Sequence, residues 1–396
     1  MLSAHPVFWL LVAAVAAPVL GEIPLGLKVP VVVLEVILGI VIGPHVLGLV
    51  RFDGFIAEMF TFGMATTLFM AGMELDLGQI KGRPLSLAAI GWIISVLLGF
   101  AAVGMLHVIP RVRAPEMVTL ALCTTGLGVL IPIFRDGGQL DTAFGRLFVA
   151  AGTLGEIGPI VAMSLLLSKQ YSSWQEVGFL LAFLAIIGLA AAVGMGARPP
   201  KVLAVFSRTM HSSSQLPVRI SLLLLGALFV LAEDFGFESI FGAFAAGMVV
   251  GLATRGEGGK PMREKLDAVC FGWFYPFFFV GTGIKFDITA LGGDLTTMLL
   301  VPAFLVLFII IRGAPVFLYR NDIPRDQRLA FALSSSVASL SIVVVITEIG
   351  TNSHTMSPDI TAALVGAALL SVLLFPTIAG VLLQRNAPPP PNAGAP

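Results

Sequence analysis

One carboxylate stands in the middle of an apolar run: Glu156, in RLFVAAGTLGEIGPIVAMSLLL. An ionisable group at such depth costs roughly 2.5–3.5 kcal/mol to insert into a membrane and is a functional candidate by default. A carboxylate is a hard oxygen ligand for Na⁺ or K⁺, and it is also a proton acceptor. One group that takes either a proton or a cation, but not both, yields obligatory exchange without further machinery. A plainer role, neutralising Arg312 in LVLFIIIRGAPVFL, is compatible with that chemistry. Arg312 keeps its charge at any accessible pH. It therefore needs a partner, either Glu156 or the negative half-helix end of an interrupted helix, and it reads as a scaffold charge rather than a ligand. Glu35, in VVVLEVILGIVIG, either lines the approach to a site or satisfies a helix contact.

Prolines and hydroxyls surround these charges. Pro159 cannot donate to the carbonyl four residues back, which releases the Gly155 carbonyl beside Glu156. Pro132 releases that of Gly128, and Pro315 that of Ile311. Such carbonyls are tolerated at membrane depth where they line a cavity or a site. Thr124 and Thr125 precede the breakable stretch Gly126-Leu127-Gly128, and Ser334, Ser335, Ser336, Ser339 and Ser341 crowd a second run. Glu156, Thr124, Thr125 and Gly155 are the candidate ion- and proton-binding residues; Ser335, Ser336 and Ser339 are candidate lining. The alternative for each hydroxyl is a bond back to its own helix. His5, His45, His107, His211 and His354 fall near loops or run ends and read as solvated surface. No metal-ligand spacing, catalytic triad, phosphate loop or HExxH occurs, so no cofactor and no enzyme chemistry are expected.

The elements that must position these groups follow from composition. The chain has 396 residues, 57% hydrophobic and 12% charged, against roughly 25% charged in soluble domains. Mean hydropathy is +0.98. Zero net charge excludes a basic nucleic-acid footprint. Cys123 and Cys270 lie in separate apolar runs, which argues against a disulfide framework. Apolar runs sit at 6–20, 29–50, 56–73, 84–108, 116–134, 144–168, 175–196, 218–232, 238–253, 269–284, 296–318, 328–349 and 360–384. Most approach the roughly 20 residues that span a bilayer as helix. The fold expected is an all-α integral membrane protein of about 13 transmembrane helices. The first run lacks a basic flank and reads as a retained helix rather than a signal peptide. Loops of one parity carry seventeen Lys and Arg, loops of the other five, and Arg312 completes the 23. The positive-inside rule then places the C-terminus in the cytoplasm and the N-terminus outside, in a cell membrane. Tyr171 and Trp174 flank one outer loop as interfacial aromatics. The Pro-rich tail 386–396 is expected to be disordered, with no soluble regulatory domain after it.

Two stretches echo each other. Gly39 and Gly43 in LEVILGIVIG match Gly247 and Gly251 in GAFAAGMVVG. FTFGMATTLFMAGMELDL, with Gly72, Glu74 and Asp76, matches GWFYPFFFVGTGIKFDI, with Gly283, Lys285 and Asp287. LCTTGLGVLIPIF matches LSSSVASLSIVVVI. Gly72 to Thr124 and Gly283 to Ser335 are both 52 residues. The first copy starts outside and the second inside, so the repeats are inverted. Inverted repeats with interrupted helices mark secondary transporters, with the site near the midplane. The glycine pairs taken alone read more simply as close helix contacts.

VPVVVLEVILGIVIGPHVLGL, LFMAGMELDL, FRDGGQLDTAFGRL, ESIFGAFAAGMVVG and FFFVGTGIKFDI together resemble the membrane module of the monovalent cation:proton antiporters. The branch is that of bacterial Na⁺/H⁺ antiporters and glutathione-gated K⁺ efflux systems, and the resemblance covers about residues 6–384. It implies a homodimer in the bilayer that exchanges a monovalent cation for protons by an elevator-type motion. It also implies an organisation: 1–80 as a scaffold and dimer half, 81–170 as a core half, 171–216 as a linker helix and cytoplasmic loop, 217–289 as the second scaffold half, and 290–385 as the second core half. Interrupted helices 5 and 12 would cross near the ion site. Family members usually carry an acidic pair, or Asn or Gln followed by Asp, where this sequence has Gly155-Glu156. They carry a basic residue, often Lys, where it has Arg312, and charged or polar signature residues where SSSVASLSIVVV has no charge. A single carboxylate fits an electroneutral exchange. The departures also admit a divergent member, either a non-antiport transporter or a non-transporting subunit of a membrane complex. Glutathione gating is not carried over, because it needs soluble parts absent from this sequence.

Overall fold

The computed structural model describes residues 4–23, 29–75, 82–106, 114–136, 138–140, 142–167, 212–255, 259–292 and 295–385, with isolated positions at 185, 188, 189 and 209. All regular structure among them is helical. The helices are α1 (Ala4–Gly21), α2 (Val31–Ile42), α3 (Gly54–Glu74), α4 (Arg83–Leu106), α5 (Pro115–Leu122), α6 (Leu127–Asp136) and α7 (Ala143–Leu167). They continue as α8 (Leu216–Asp234), α9 (Ser239–Ala253), α10 (Lys260–Val269), α11 (Tyr275–Lys285), α12 (Ile288–Gly292), α13 (Leu295–Phe308), α14 (Arg328–Ser335), α15 (Leu340–Asn352) and α16 (Pro358–Arg385). A π turn, Cys270–Phe274, joins α10 to α11; a second, Ile309–Gly313, and a 3₁₀ stretch, Ala314–Tyr319, prolong α13.

Eight helical stretches are long and apolar enough to cross a bilayer, and four shorter apolar helices accompany them. Among the described residues these helices fall in twelve of the expected apolar runs, and the total of about 13 spans is not fixed by them. Apart from the isolated positions 185, 188 and 189, the run 175–196 lies outside the described residues, as do the aromatics Tyr171 and Trp174 and the tail 386–396. Two runs are broken, as their sequences require. Between α5 and α6 the chain leaves the helix at Thr124-Thr125-Gly126, and between α14 and α15 at Ser336 to Ser339. Ser, Thr and Gly compete poorly as helix formers, because hydroxyls offer the backbone other partners and Gly loses the most backbone entropy.

The chain divides into two compact units. The first holds the described parts of Met1–Glu22, Leu34–Leu77 and Ile160–Phe286. One of its cores joins Leu10, Ile42, Ile56, Phe277, Val280 and Ile284, with Trp9, Phe52 and Phe55 packed against them. In a bilayer, helices associate through close van der Waals packing rather than water exclusion, so small residues mark the contacts. A Cβ added to Gly39 would strike the Val280 carbonyl oxygen, and one added to Gly283 that of Val36. A Cβ on Gly72 would strike the Phe244 carbonyl oxygen, and one on Gly247 that of Phe69. The landmarks of each sequence copy therefore seat on the opposite landmarks of the other. This is one contact made twice, as a two-fold relation between the copies demands.

The second unit holds Ile23–Val33, Gly78–Pro159 and Asp287–Pro396, again in their described parts. Edge-on aromatic contacts run from Phe134 to Phe144 and Phe148, and from both of these to Phe331, which also packs on Tyr319. They brace α6, α7, α14 and the 3₁₀ stretch around the breaks, at about 0.5–1.5 kcal/mol per pair. At the surface of this unit Arg83 holds Asp322 in a bidentate pair, with Nε to Oδ1 and Nη2 to Oδ2 both 2.9 Å. That bond keeps the Asp322 carboxyl below its ordinary range.

Candidate ion site at the two helix breaks

The breaks meet each other. The Gly126 N–H donates to the Val337 carbonyl at 2.8 Å, and the Ser339 N–H to Thr124 Oγ1 at 3.3 Å. The Ala338 N–H donates to Ser371 Oγ at 3.0 Å, which ties the second break to α16. Backbone groups that lose their helical partners at a break must find others, because an unpaired polar group in the interior is costly. A Cβ at position 126 would come within 2.8 Å of the Ala338 carbonyl oxygen, so the crossing needs glycine there.

Thr125 ties four elements together. Its N–H donates to the Gly155 carbonyl at 3.1 Å. Its Oγ1 donates to the Ser335 carbonyl at 2.6 Å and accepts from Arg312 Nε at 2.9 Å and Nη2 at 2.7 Å. The two lone pairs of a hydroxyl are thereby taken by the guanidinium. In this arrangement Thr125 holds Arg312. Thr124 Oγ1 bonds back to Ala121 at 2.8 Å while accepting from Ser339.

Glu156, 8% exposed, accepts from the N–H of Leu127, the first residue of α6, at 3.1 Å. The start of a helix carries orphan N–H donors and about half a positive charge, which favours an anion there. The half-helix end thus meets the acid, and Arg312 meets other acceptors. Arg312 is 4% exposed, and its remaining bonds run from Nη2 to the Ala151 carbonyl at 3.1 Å and from Nη1 to Ser95 Oγ at 3.3 Å.

Two of the carbonyls released by proline have found donors. Ile311, four residues before Pro315, accepts from Ser95 Oγ at 2.8 Å. Gly155, four before Pro159, accepts from Thr125, so its carbonyl is engaged rather than open beside Glu156. The missing side chain of Gly155 matters more. A Cβ there would lie 2.7 Å from Arg312 Nη2 and from Thr125 Cβ. The guanidinium occupies the room that a side chain at 155 would need.

Ser336 bonds back to Ala332 at 2.7 Å and Ser334 to Ala330 at 2.7 Å, the plainer reading of helical hydroxyls. Ser335 contributes its carbonyl and Ser339 its N–H to the crossing. Glu35, 5% exposed on α2, belongs to the first unit, whereas the other candidates belong to the second. Ser95 and the Ala151 carbonyl were not foreseen. A hydroxyl in the apolar middle of α4 was the available signal for Ser95; nothing in sequence marks a particular carbonyl. Among the described residues no cluster of His, Cys, Asp and Glu is arranged for a resident metal.

A family model described as sodium/hydrogen exchanger, transmembrane, matches residues 10–385. The putative Na⁺/H⁺ antiporter YjbQ of Bacillus subtilis is 26% identical over 92% of this chain, which spans 60% of that relative's length. The Na⁺/H⁺-K⁺ antiporter GerN of Bacillus cereus is 23% identical, over 90% of each chain. Among solved structures, the sodium proton antiporter MjNhaP1 from Methanocaldococcus jannaschii superposes with a TM-score of 0.67 at 17% identity. That match covers 96% of this chain and all of the other, and it shows a shared fold.

Proposed function

The chain belongs to the sodium/hydrogen exchanger family, and on that premise we propose that it exchanges a monovalent cation, Na⁺ or K⁺, for protons across a membrane. Family members are transporters, not enzymes, and the helices are those of a multi-pass membrane protein. The observation that carries the reading is the buried carboxylate of Glu156, held by the first N–H of α6 at the crossing of two broken helices. A carboxylate there binds a proton or a desolvated cation in turn. Thr124, whose hydroxyl accepts from Ser339 at the same crossing, is the remaining hydroxyl candidate, and Thr125 with Gly155 secures Arg312.

The proposed exchange is one for one and electroneutral: a single acidic group gives up one positive charge for each it takes. An elevator-type motion is proposed, with 81–170 and 290–385 as the moving core and 1–80 and 217–289 as the scaffold of a homodimer. The division into two compact units supports that assignment. The excess of Lys and Arg on one loop parity supports a cytoplasmic C-terminus in a cell membrane.

Purified protein in liposomes tests this. Adding Na⁺ or K⁺ should dissipate an imposed pH gradient, an imposed voltage should leave the rate unchanged, and Glu156→Gln should abolish the response. Absence of any response to Li⁺, Na⁺ or K⁺ sinks the exchange, and a rate that follows voltage sinks the stoichiometry.

A further inference from the structure

Arg312 also lines a small cavity with Trp92 of α4, Tyr319, Phe331 and Ser335. The room inside it for a water-sized sphere is about 10 Å³, close to the least that holds one water. Two residues of its lining, Trp92 and Ser335, each carry a buried polar atom, Nε1 and Oγ, that makes no hydrogen bond within the protein. Such groups are rare in native proteins and point to an occupant. The guanidinium supplies a third polar group. It has five N–H donors, and its bonds to Thr125, Ala151 and Ser95 use four of them.

The chemistry of the lining defines the occupant. An indole N–H and a guanidinium N–H only donate, so the occupant must accept twice. A serine hydroxyl can accept, so the occupant can also donate once. A molecule with two lone pairs, a hydrogen to give and the size of the hole is water. We propose that this cavity is a binding site for one water molecule, which accepts from Trp92 and Arg312 and donates to Ser335 Oγ. That water links α4 to the last residue of α14, where the second break begins, and takes the guanidinium N–H that Thr125, Ala151 and Ser95 leave unused. Trp92 and Ser335 are then positioning residues for Arg312, acting through the water and not on the cation.

Two measurements on the full chain in lipid nanodiscs test this. A density map fine enough to resolve water, recorded once in chloride buffer and once in gluconate, should show the same peak in both, within hydrogen-bond reach of Trp92 Nε1 and Ser335 Oγ. An empty cavity overturns the site, and a peak found only in chloride overturns water in favour of an anion. The second measurement rests on the antiport reading, which the first does not need. Trp92→Phe keeps a ring but removes the N–H, and Ser335→Ala removes the hydroxyl. Each should raise the cation concentration for half-maximal proton flux about fivefold, the worth of one net hydrogen bond, and shift its pH profile. The double variant should be no worse than the stronger single, because both act through one water. Effects that multiply, or flux unchanged in both singles, overturn the positioning role.

Discussion

At the scale of single residues, the site is organised around a hydroxyl rather than around its charges. Thr125 Oγ1 is where the guanidinium, the second break and, through its own backbone, α7 converge. Thr125→Val preserves shape but leaves buried charged donors without their acceptor. The expected loss is about 3 kcal/mol of stability, read as a lowered unfolding temperature of the purified protein. Thr125→Ser retains the oxygen and should stay near the parent; equal losses in both would show that the methyl, not the hydroxyl, matters. Glu156 was legible in sequence because a carboxylate in an apolar run carries an insertion cost that only a function or a specific partner offsets. Its neighbour was legible only in part: Gly155 stood out as a missing polar side chain, but the guanidinium that fills its place comes from a residue 157 positions on.

At the scale of elements, each irregularity in a helix has a partner elsewhere. Pro315 leaves the Ile311 carbonyl without its helical donor, the chain winds into π and 3₁₀ turns there, and Ser95 of α4 supplies the hydrogen bond. Ser95→Ala should cost about 1–3 kcal/mol, the penalty of a buried acceptor left unmet; an unchanged unfolding temperature would mean that another donor relaxes into place. The α4 start is tied at the surface by Arg83 and Asp322. Because Arg83 holds the folded carboxyl below its unfolded value, the pair contributes at pH 7 and above the unfolded pKa of about 3.9. The contribution fades as pH falls through the lower, folded value. The difference in thermal stability between the parent and Asp322→Asn should therefore be small at pH 7, shrink further below pH 4 and shrink with added salt. A difference that grows on acidification would contradict the pairing. The second break was legible from its serines; the first lies at Thr124-Thr125-Gly126, ahead of the stretch Gly126-Leu127-Gly128 expected to break, whose Leu127 and Gly128 already belong to α6. Which N–H meets which carbonyl across the crossing was not legible, since each peptide group looks alike in sequence.

At the scale of the whole molecule, the repeat is expressed as paired contacts. Gly39 against the Gly283 helix and Gly247 against the Gly72 helix are the same close approach in two copies. Gly39→Ala and Gly247→Ala should each overpack a backbone contact, at about 1–3 kcal/mol. Unfolding of the full chain in detergent should register similar losses. A large loss in one and none in the other would show that the copies have diverged in packing.

Sequence alone determined the helical membrane architecture, the doubled spacing of its landmarks and the acidic candidate Glu156 in an apolar run; the crossing of two interrupted helices was implied by the family resemblance. The first three follow from composition, from spacing along one chain and from the cost of placing charge in an apolar helix, all of which are local quantities. The tertiary structure decided who satisfies whom: that α6 offers its first N–H to Glu156, that Thr125 and Ala151 take the guanidinium, and that Trp92 and Ser335 leave a polar hole beside it. Hydrogen-bond partners distant in sequence are set by packing geometry, and no periodicity along the chain encodes them.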